Sequence, residues 1–518
     1  MTSAAGRVGA GLAAARDARP IRPSERIHVV GAAGAGASAA ALLAAHAGAV
    51  VSACDPGGPS PYTPALEAMG IVVAGEHAVA HVTAIPRPDR LAVTKALTAI
   101  DPDQAELAAA RAAGIPVEPW QQVVADAAVG RTLVGVAGTH GKSTTAGWLV
   151  HTLAAAGTDP SAFVGALLSS ALTAGPPATA RRGDGPAFIV EADEYAGNFD
   201  PYRPDIAVLT SAEWDHPDVF ADRAAVLDAF EAWLRRLPEG ATLVANVGDP
   251  GVEAVVDRLL DRPLRIVAYA VVDASPGRGG YLRGIRERFT TAAGQAAALL
   301  GRIVATDPGG TTLEVYGLDE LAGAVTVRLP TAGRHNAANA LATAGAAAAL
   351  GLTPDRIASG IGSFSGVGRR LERKGEAAGV VVYDDYGHHP TAIHETLAAI
   401  RQREPGRRVW AVYEPLTYHR TAAMLERFAE ALAEADAVAV ADIWAGRDPD
   451  TTITSAAALA DAVAARRPDI PVLAPGTVEA TADALAEHVQ AGDAVLVMGG
   501  GRSYRIGERL LRTLQADR

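Results

Sequence analysis

Short apolar runs closed by a glycine or an acid, each followed by an alanine- and leucine-rich stretch of helical length, recur along this chain. That alternation predicts parallel α/β sheets, because buried parallel strands read as continuous apolar runs and their crossovers are amphipathic helices. Three strand–glycine–helix signatures stand out. Arg26-Ile-His-Val-Val30 leads into Gly31-Ala-Ala-Gly34-Ala35-Gly36 and an alanine-rich helix, and a second strand, Ala49 to Cys54, ends at Asp55. Thr132 to Ala137 runs into Gly138-Thr139-His140-Gly141-Lys142-Ser143-Thr144. Gly379 to Tyr383 runs into Asp384-Asp385-Tyr386-Gly387-His388-His389-Pro390, and Asp493 to Met498 into three glycines. Boundaries near residues 128 and 366 give segments 1–128, 129–366 and 367–518. The glycine-rich stretch Gly360 to Gly368 reads as the hinge at the second boundary. Segment 270–330 alternates turns with short apolar runs and carries no functional signal.

At 518 residues the chain exceeds one hydrophobic core; three domains are expected and two are the alternative. With 49% apolar and 20% charged residues the composition is that of a globular protein, and no apolar run is long enough to span a bilayer. A net charge of −12 argues against nucleic acid as a bulk partner. One cysteine, Cys54, excludes intrachain disulfides and a cysteine-based metal cluster. The first twenty residues loosely resemble a transit peptide, but the same alanine bias runs throughout, so cytoplasm is the default compartment, as a monomer or weak homodimer. Only three lysines occur (Lys95, Lys142 and Lys374), so a retained lysine is a candidate for work arginine cannot do.

The Gly138–Thr144 loop is the strongest signal. Its glycines let backbone N–H groups curl round a phosphate, Lys142 would meet the outer phosphates of ATP, and Ser143 would offer its hydroxyl to Mg²⁺. Val136 stands where the usual phosphate loop has its first glycine. Glu191 and His216 follow apolar strands, where α/β sheets bind ligands and a phosphoryl-transfer enzyme needs metal ligands. His335, Asn336 and Asn339 open a helix, either as its cap or as readers of an adenine edge. Two acids and two histidines crowd the turn from Asp384 to His389, more than a cap requires, without the spacing of a zinc enzyme. The first glycine loop lacks the middle glycine of the dinucleotide fingerprint, with Ala33 in its place. Asp55 lies near the ribose-binding spacing, so this loop alone would suggest a nicotinamide enzyme.

Together these pieces resemble the Mur ligase family from about residue 26 to 512. The resemblance implies a Rossmann-like N-terminal domain for a uridine nucleotide, a central ATPase domain of P-loop type, and a Rossmann-like C-terminal domain that closes on the amino acid. It implies an ATP-dependent ligase joining L-alanine to UDP-N-acetylmuramic acid through an acyl phosphate, for peptidoglycan precursors. Lys142, Glu191, His216, Arg370 and His388 are then catalytic, and Ser143, Glu191 and His216 hold Mg²⁺. Loop residues 138–144 bind ATP with His335, Asn336, Asn339, Arg370 and Asp385. Gly34, Ala35, Gly36, Asp55, Thr94, His388, His389 and Arg420 bind the other substrates. The absence of lysine between Lys142 and Lys374 fits the alanine-adding branch, whose later-acting relatives use a carbamylated lysine. Leu416 and Thr417 stand where that branch has His and Arg, and Glu191-Ala-Asp-Glu-Tyr195, Glu213-Trp-Asp-His216 and Glu414-Pro415 lean toward the alternative of a recycling ligase that attaches a preformed tripeptide. Leu416 and Thr417 also keep a non-catalytic paralogue open.

Overall fold

The computed structural model describes residues 8–273, 280–319, 323–446, 448 and 450–516. It contains three sheets. The first is all parallel, in the order β3-β2-β1-β4-β5, from β1 (Arg26–Val30), β2 (Val50–Cys54), β3 (Val73–Ala74), β4 (Arg90–Val93) and β5 (Val117–Pro119). Helix Ala35–His46 covers one face, and Trp120 sits so close to it that a Cβ on Gly36 would lie 2.1 Å from the indole. Glycine here is a packing requirement.

The second sheet comprises β6 (Thr132–Ala137), β7 (Ser161–Leu168), β8 (Ala178–Arg181), β9 (Ala187–Glu191), β10 (Ile206–Leu209), β11 (Thr242–Asn246), β12 (Arg265–Val272), β13 (Ala297–Asp307), β14 (Gly310–Tyr316) and β15 (Ala324–Leu329). Its order is β15-β14-β13-β12-β11-β10-β6-β9-β7-β8. The segment that carried no functional signal supplies the end of β12 and all of β13 to β15, and the β13–β14 and β14–β15 pairings are antiparallel. The third sheet, β16-β17-β21-β18-β19-β20, is built from β16 (Glu372–Ala377), β17 (Val380–Asp385), β18 (Arg408–Glu414), β19 (Ala437–Ala441), β20 (Val472–Gly476) and β21 (Asp493–Gly499).

Apolar clusters cover both faces of each sheet, which is why the central strands, such as β10, β19 and β21, are continuously apolar, while edge strands such as β16 are not. One apolar cluster runs from helix Ala35–His46 into Phe163 and Phe188 of the second sheet, and Ser38 and Thr179 join their hydroxyls at 3.1 Å across the same contact.

Two expectations gain detail. Gly360-Ile-Gly362 closes helix Pro354–Gly362, where a Cβ at Gly360 would lie 2.7 Å from Thr152. Positive φ is confined to Gly366, Arg369 and Leu371 beyond it. The segment that loosely resembled a transit peptide is, in its described part, docked. Arg16 binds Glu118 at 2.7 Å and Asp126 at 2.8 Å, burying two acids that Arg90 also contacts. Among the described residues no helix is long and apolar enough to cross a membrane.

Candidate functional site

Strand order assembles the site. β9, β6 and β10 are neighbours, so Glu191, the Gly138–Thr144 loop and residues 210–216 emerge side by side at carboxyl ends. In the third sheet β17, β21 and β18 are neighbours, which aligns Asp385 to His389, Gly499 to Gly501 and Glu414 to Arg420. The two sets of ends face each other across a cavity of about 630 Å³.

The glycines of the loop are obligatory. Gly138 has φ +135° with Thr210 Oγ1 2.2 Å from any Cβ, and Gly141 has φ +80° with Asn339 Oδ1 at 2.5 Å. Thr139 exchanges hydrogen bonds with the Glu213 backbone, and His140 N donates to Ser211 Oγ at 2.8 Å, so the loop is held from β10. Helix Lys142–Ala155 starts here with its N–H groups free of any side-chain cap. That arrangement suits an anion.

Lys142 Nζ donates to Gly138 O at 2.6 Å and to Glu194 Oε2 at 2.9 Å, with Asp193 at 3.6 Å. Burial opposes its charge, but Glu194 and Asp193 overcome this and hold the ammonium above its ordinary range. The same burial outweighs Lys142 at Glu194, whose carboxyl is pushed up to about 7, while Asp193 is held below the usual range by Lys142 and His216. One ammonium thus holds the partly exposed Asp193 ionised and the buried Glu194 only partly.

Ser143 Oγ donates to Glu191 Oε1 at 3.0 Å and accepts from Arg370 Nη2 at 3.0 Å, and Gly165 N donates to Glu191 Oε2 at 2.6 Å. His216 is instead within 4.8 Å of Asp193 and Glu194. Glu191 and His216 line one cavity, yet they do not gather into one cluster of donors, since Glu191 already serves Ser143 and Gly165. Burial, reinforced by Arg420, lowers His216 to about 4 and keeps the imidazole neutral, and because Nδ1 accepts from Arg420, His216 ligates only once Arg420 releases it. Ser143 and Glu191 form one group of hard oxygens and Asp193 and Glu194 with His216 a second on the same cavity wall, the donor types that a divalent cation takes.

On the opposite wall, Asp385 accepts from Leu371 N and Gly387 N, both at 2.7 Å. His389 caps helix Pro390–Arg403: Nδ1 accepts from Thr391 N, which leaves Nε2–H to donate to Trp214 O at 3.2 Å. Both of its ring nitrogens are committed. His388 uses only Nδ1, on Tyr386 O at 2.9 Å, and Nε2 lies 4.0 Å from Asp215. Burial and the Arg420 guanidinium keep His388 neutral, well below its ordinary value. Arg420 is itself buried, bonded to Asp215 at 2.8 Å and to His216 Nδ1 at 3.0 Å.

His335, Asn336 and Asn339 also line the cavity, and the helix they open has no side-chain cap, so the capping alternative fails. Asn336 donates to Ala332 O, Asn339 Oδ1 accepts from Thr145, and His335 Nδ1 meets Glu395 at 3.1 Å. Thr139 to Thr144, Arg370, Asp385, His388, His389, Arg420 and Gly36 complete the expected lining.

Gly34, Ala35, Asp55, Thr94 and, within the phosphate loop, Gly138 do not line it. Asp55 turns one oxygen to Ala33 N at 2.9 Å and the other to Gly57 N at 2.8 Å, and Thr94 packs under Gly31. Sequence reasoning gave no individual role to Asp193, Glu194, Asp215, Tyr62 or Tyr386, although the three acids share with Glu191 and His216 the signal of standing just after β9 and β10. An adjoining cavity of about 690 Å³ reaches from Arg370 and Tyr386 to Tyr62 of the N-terminal domain.

Family comparisons match nearly the whole chain: the Mur ligase family catalytic domain over residues 26–132, the Mur ligase middle domain over 136–347, and the Mur ligase glutamate ligase domain over 369–501. UDP-N-acetylmuramate–L-alanine ligase of Kineococcus radiotolerans is 37% identical over 490 residues, covering 94% of this chain and 96% of its own. The Frankia casuarinae enzyme of the same name is 35% identical, covering 95% and 98%. Among solved structures, UDP-N-acetylmuramate-alanine ligase of Thermotoga maritima superposes with a TM-score of 0.74 at 21% identity, covering 95% of this chain and all of its own. A murein peptide ligase of Psychrobacter arcticus reaches 0.69 at 24% identity, covering 95% and 98%.

Proposed function

The chain belongs to the Mur ligase family, and from that premise we propose that it joins L-alanine to the carboxylate of UDP-N-acetylmuramic acid while ATP is split to ADP and phosphate. The observation that carries this reading is Arg370 reaching from the third sheet to Ser143 of the phosphate loop at 3.0 Å. It joins the nucleotide side of the cavity to the acceptor side.

In the first step a carboxylate oxygen of the muramyl group bonds to the γ-phosphorus of ATP and ADP departs. Loop N–H groups and Lys142 hold the phosphates, and Arg370 balances charge spread over the transferring phosphoryl. Ser143, Glu191 and His216, with Asp193 beside them, would hold Mg²⁺, which when bound supplies further neutralisation of phosphate charge. His335, Asn336 and Asn339 flank the place for adenine, and Asp385 fixes the strand end that carries Arg370's neighbours.

In the second step the amine of L-alanine attacks the acyl carbon, phosphate leaves, and the amide nitrogen gives up its proton. His388 is the histidine positioned to orient that amine, because Nδ1–H is spent on Tyr386 O and Nε2 presents a lone pair. An imidazole held so far below its ordinary value accepts a hydrogen bond but is a poor base, so it aligns the nucleophile and leaves proton removal to others. Leu416 contributes an apolar patch to the cavity, while the Thr417 hydroxyl is turned to Arg420 N.

The experiment is phosphate release with ATP, Mg²⁺ and UDP-N-acetylmuramic acid, offering L-alanine or the L-Ala-γ-D-Glu-diaminopimelate tripeptide, with products weighed. Turnover with L-alanine is expected. Turnover with the tripeptide alone would reassign the acceptor, and silence with both would leave a non-catalytic nucleotide binder.

A further inference from the structure

Far from the cavity, the N-terminal sheet buries an unusual set of side chains. His28 on β1, Cys54 at the end of β2, His81 and Glu106 place one donor atom each within 4.8 Å of one another. Cys54 and Glu106 are fully buried and His28 is 1% exposed. Glu106 Oε1 lies 2.9 Å from His28 Nε2 and 2.8 Å from His81 Nδ1, and its Oε2 is 3.5 Å from Cys54 Sγ. His77 adds a further imidazole, 3.3 Å from Cys54 and 3.4 Å from Glu106. We propose that His28, Cys54, His81 and Glu106 form a tetrahedral site for a divalent transition-metal ion of the zinc type, which staples the N-terminal domain.

Geometry, ligand chemistry and charge all support this. Donors at about 2.0–2.3 Å from a tetrahedral zinc lie roughly 3.3–3.8 Å apart, so the observed spacing needs only side-chain adjustment. One thiolate, one carboxylate and two neutral imidazoles around a dication make an uncharged unit, which a closed apolar setting tolerates better than an unpaired ion. His28 is already oriented for the task. Its Nδ1 meets Ser52 Oγ at 2.8 Å, the outer hydrogen bond that ligating histidines characteristically make, and Nε2 is buried without an aligned hydrogen bond. The side chains of His77 and His81, 16% and 21% exposed, give the ion a way in. Binding would release the thiol proton and any proton shared between the imidazoles and Glu106 to solvent.

The four ligands come from two strands and two helices, Ala80–Thr83 and Ala105–Ala112. A bound ion would therefore tie together elements that otherwise meet through a small apolar cluster. A lone cysteine cannot build a cysteine cluster, but it completes a mixed set.

The test uses the full chain, stripped with EDTA and titrated with Co²⁺. Cys54 is the chain's sole cysteine, so a thiolate-to-cobalt charge-transfer band reports this site and neither His140/Glu213/His389 nor Asp193/Glu194/His216. The expected result is a band that saturates at one equivalent, bleaches on adding Zn²⁺, and accompanies a rise in Tm. Cys54→Ser should abolish the band, and His81→Ala, at the rim, should weaken Co²⁺ binding about tenfold or more. A folded wild-type chain showing no band at micromolar Co²⁺, or a band of equal affinity in His81→Ala, would overturn the site and leave a cluster held by protons.

Discussion

Two loops of this molecule share one local grammar, an apolar strand, a glycine run and an alanine-rich helix, and have different fates. Gly31 to Gly36 turns into a helix pressed on Trp120, its backbone tied down by Asp55, and only Gly36 touches the cavity. Thr139 to Thr144 opens into the cavity, carries a half-buried lysine and is faced by acids that follow the neighbouring strand. Glycine permits close approach in both places. What approaches, an indole or a ligand, is decided by the neighbours in the sheet. Spacing alone does not separate these outcomes; the cation inside the second loop does.

The largest effect that this contrast predicts is at Lys142. Lys142→Ala should lower kcat by about 1,000-fold or more, since it removes charge from the transferring phosphoryl. It also strands Glu194 and Asp193. Because Glu194 sits at about 7, it can take up a proton, so the loss of Tm should be modest at pH 6 and larger at pH 8. Retained turnover would remove the phosphate-loop assignment.

Exchanging one atom in each loop sharpens the comparison. Gly141→Ala adds a Cβ at φ +80° against Asn339 and should cut kcat/KM about 100-fold by displacing the loop, a loss of the size expected for small misplacements. Gly36→Ala meets the Trp120 ring and should cost about 1–3 kcal/mol of stability, the usual result of overpacking. Steady-state kinetics and denaturant unfolding read the two separately. Equal damage to both quantities in both variants would erase the distinction.

Much of the site was legible in the sequence because it lies at strand ends, where an apolar run stops at a polar residue. Lys142, Ser143, Glu191, His216 and His388 stand at such positions, Arg370 was implied by the family resemblance alone, and all six line the cavity. What stayed hidden depends on contacts between distant segments. That His389 is consumed by Trp214 O and Thr391 N, and that Arg420 is spent on Asp215 and His216, follows only from how the third sheet docks on the second. Of the glycines in the expected hinge, Gly360 meets Thr152 while Gly366 has a positive φ, a difference that the sequence does not show. The His28–Cys54–His81–Glu106 cluster is scattered over four elements with no repeating interval.

A milder effect is expected from pH. His216 sits at about 4 in the fold against an ordinary 6.5, so between those values the unfolded chain binds the proton that the folded chain refuses. The stability contributed by its neutral form is complete above pH 6.5 and is lost as pH falls toward 4. His216→Gln carries no such proton. The Tm gap between wild type and variant should therefore shift against the wild type on going from pH 7.5 to pH 5. A gap independent of pH would mean that His216 is not held neutral.

The smallest expected effect returns to the first loop. Asp55→Asn keeps one acceptor oxygen but must abandon either Ala33 N or Gly57 N, at a cost of about 0.5–1.5 kcal/mol. If Asp55 serves the loop and not a ligand, KM for ATP should be unchanged and KM for the uridine substrate should rise no more than a few-fold, following the loosened backbone. A rise of 100-fold or more in the latter, at unchanged stability, would mean that Asp55 contacts the nucleotide directly. The first loop would then be a second binding loop, and the contrast between the two would reduce to which nucleotide each one holds.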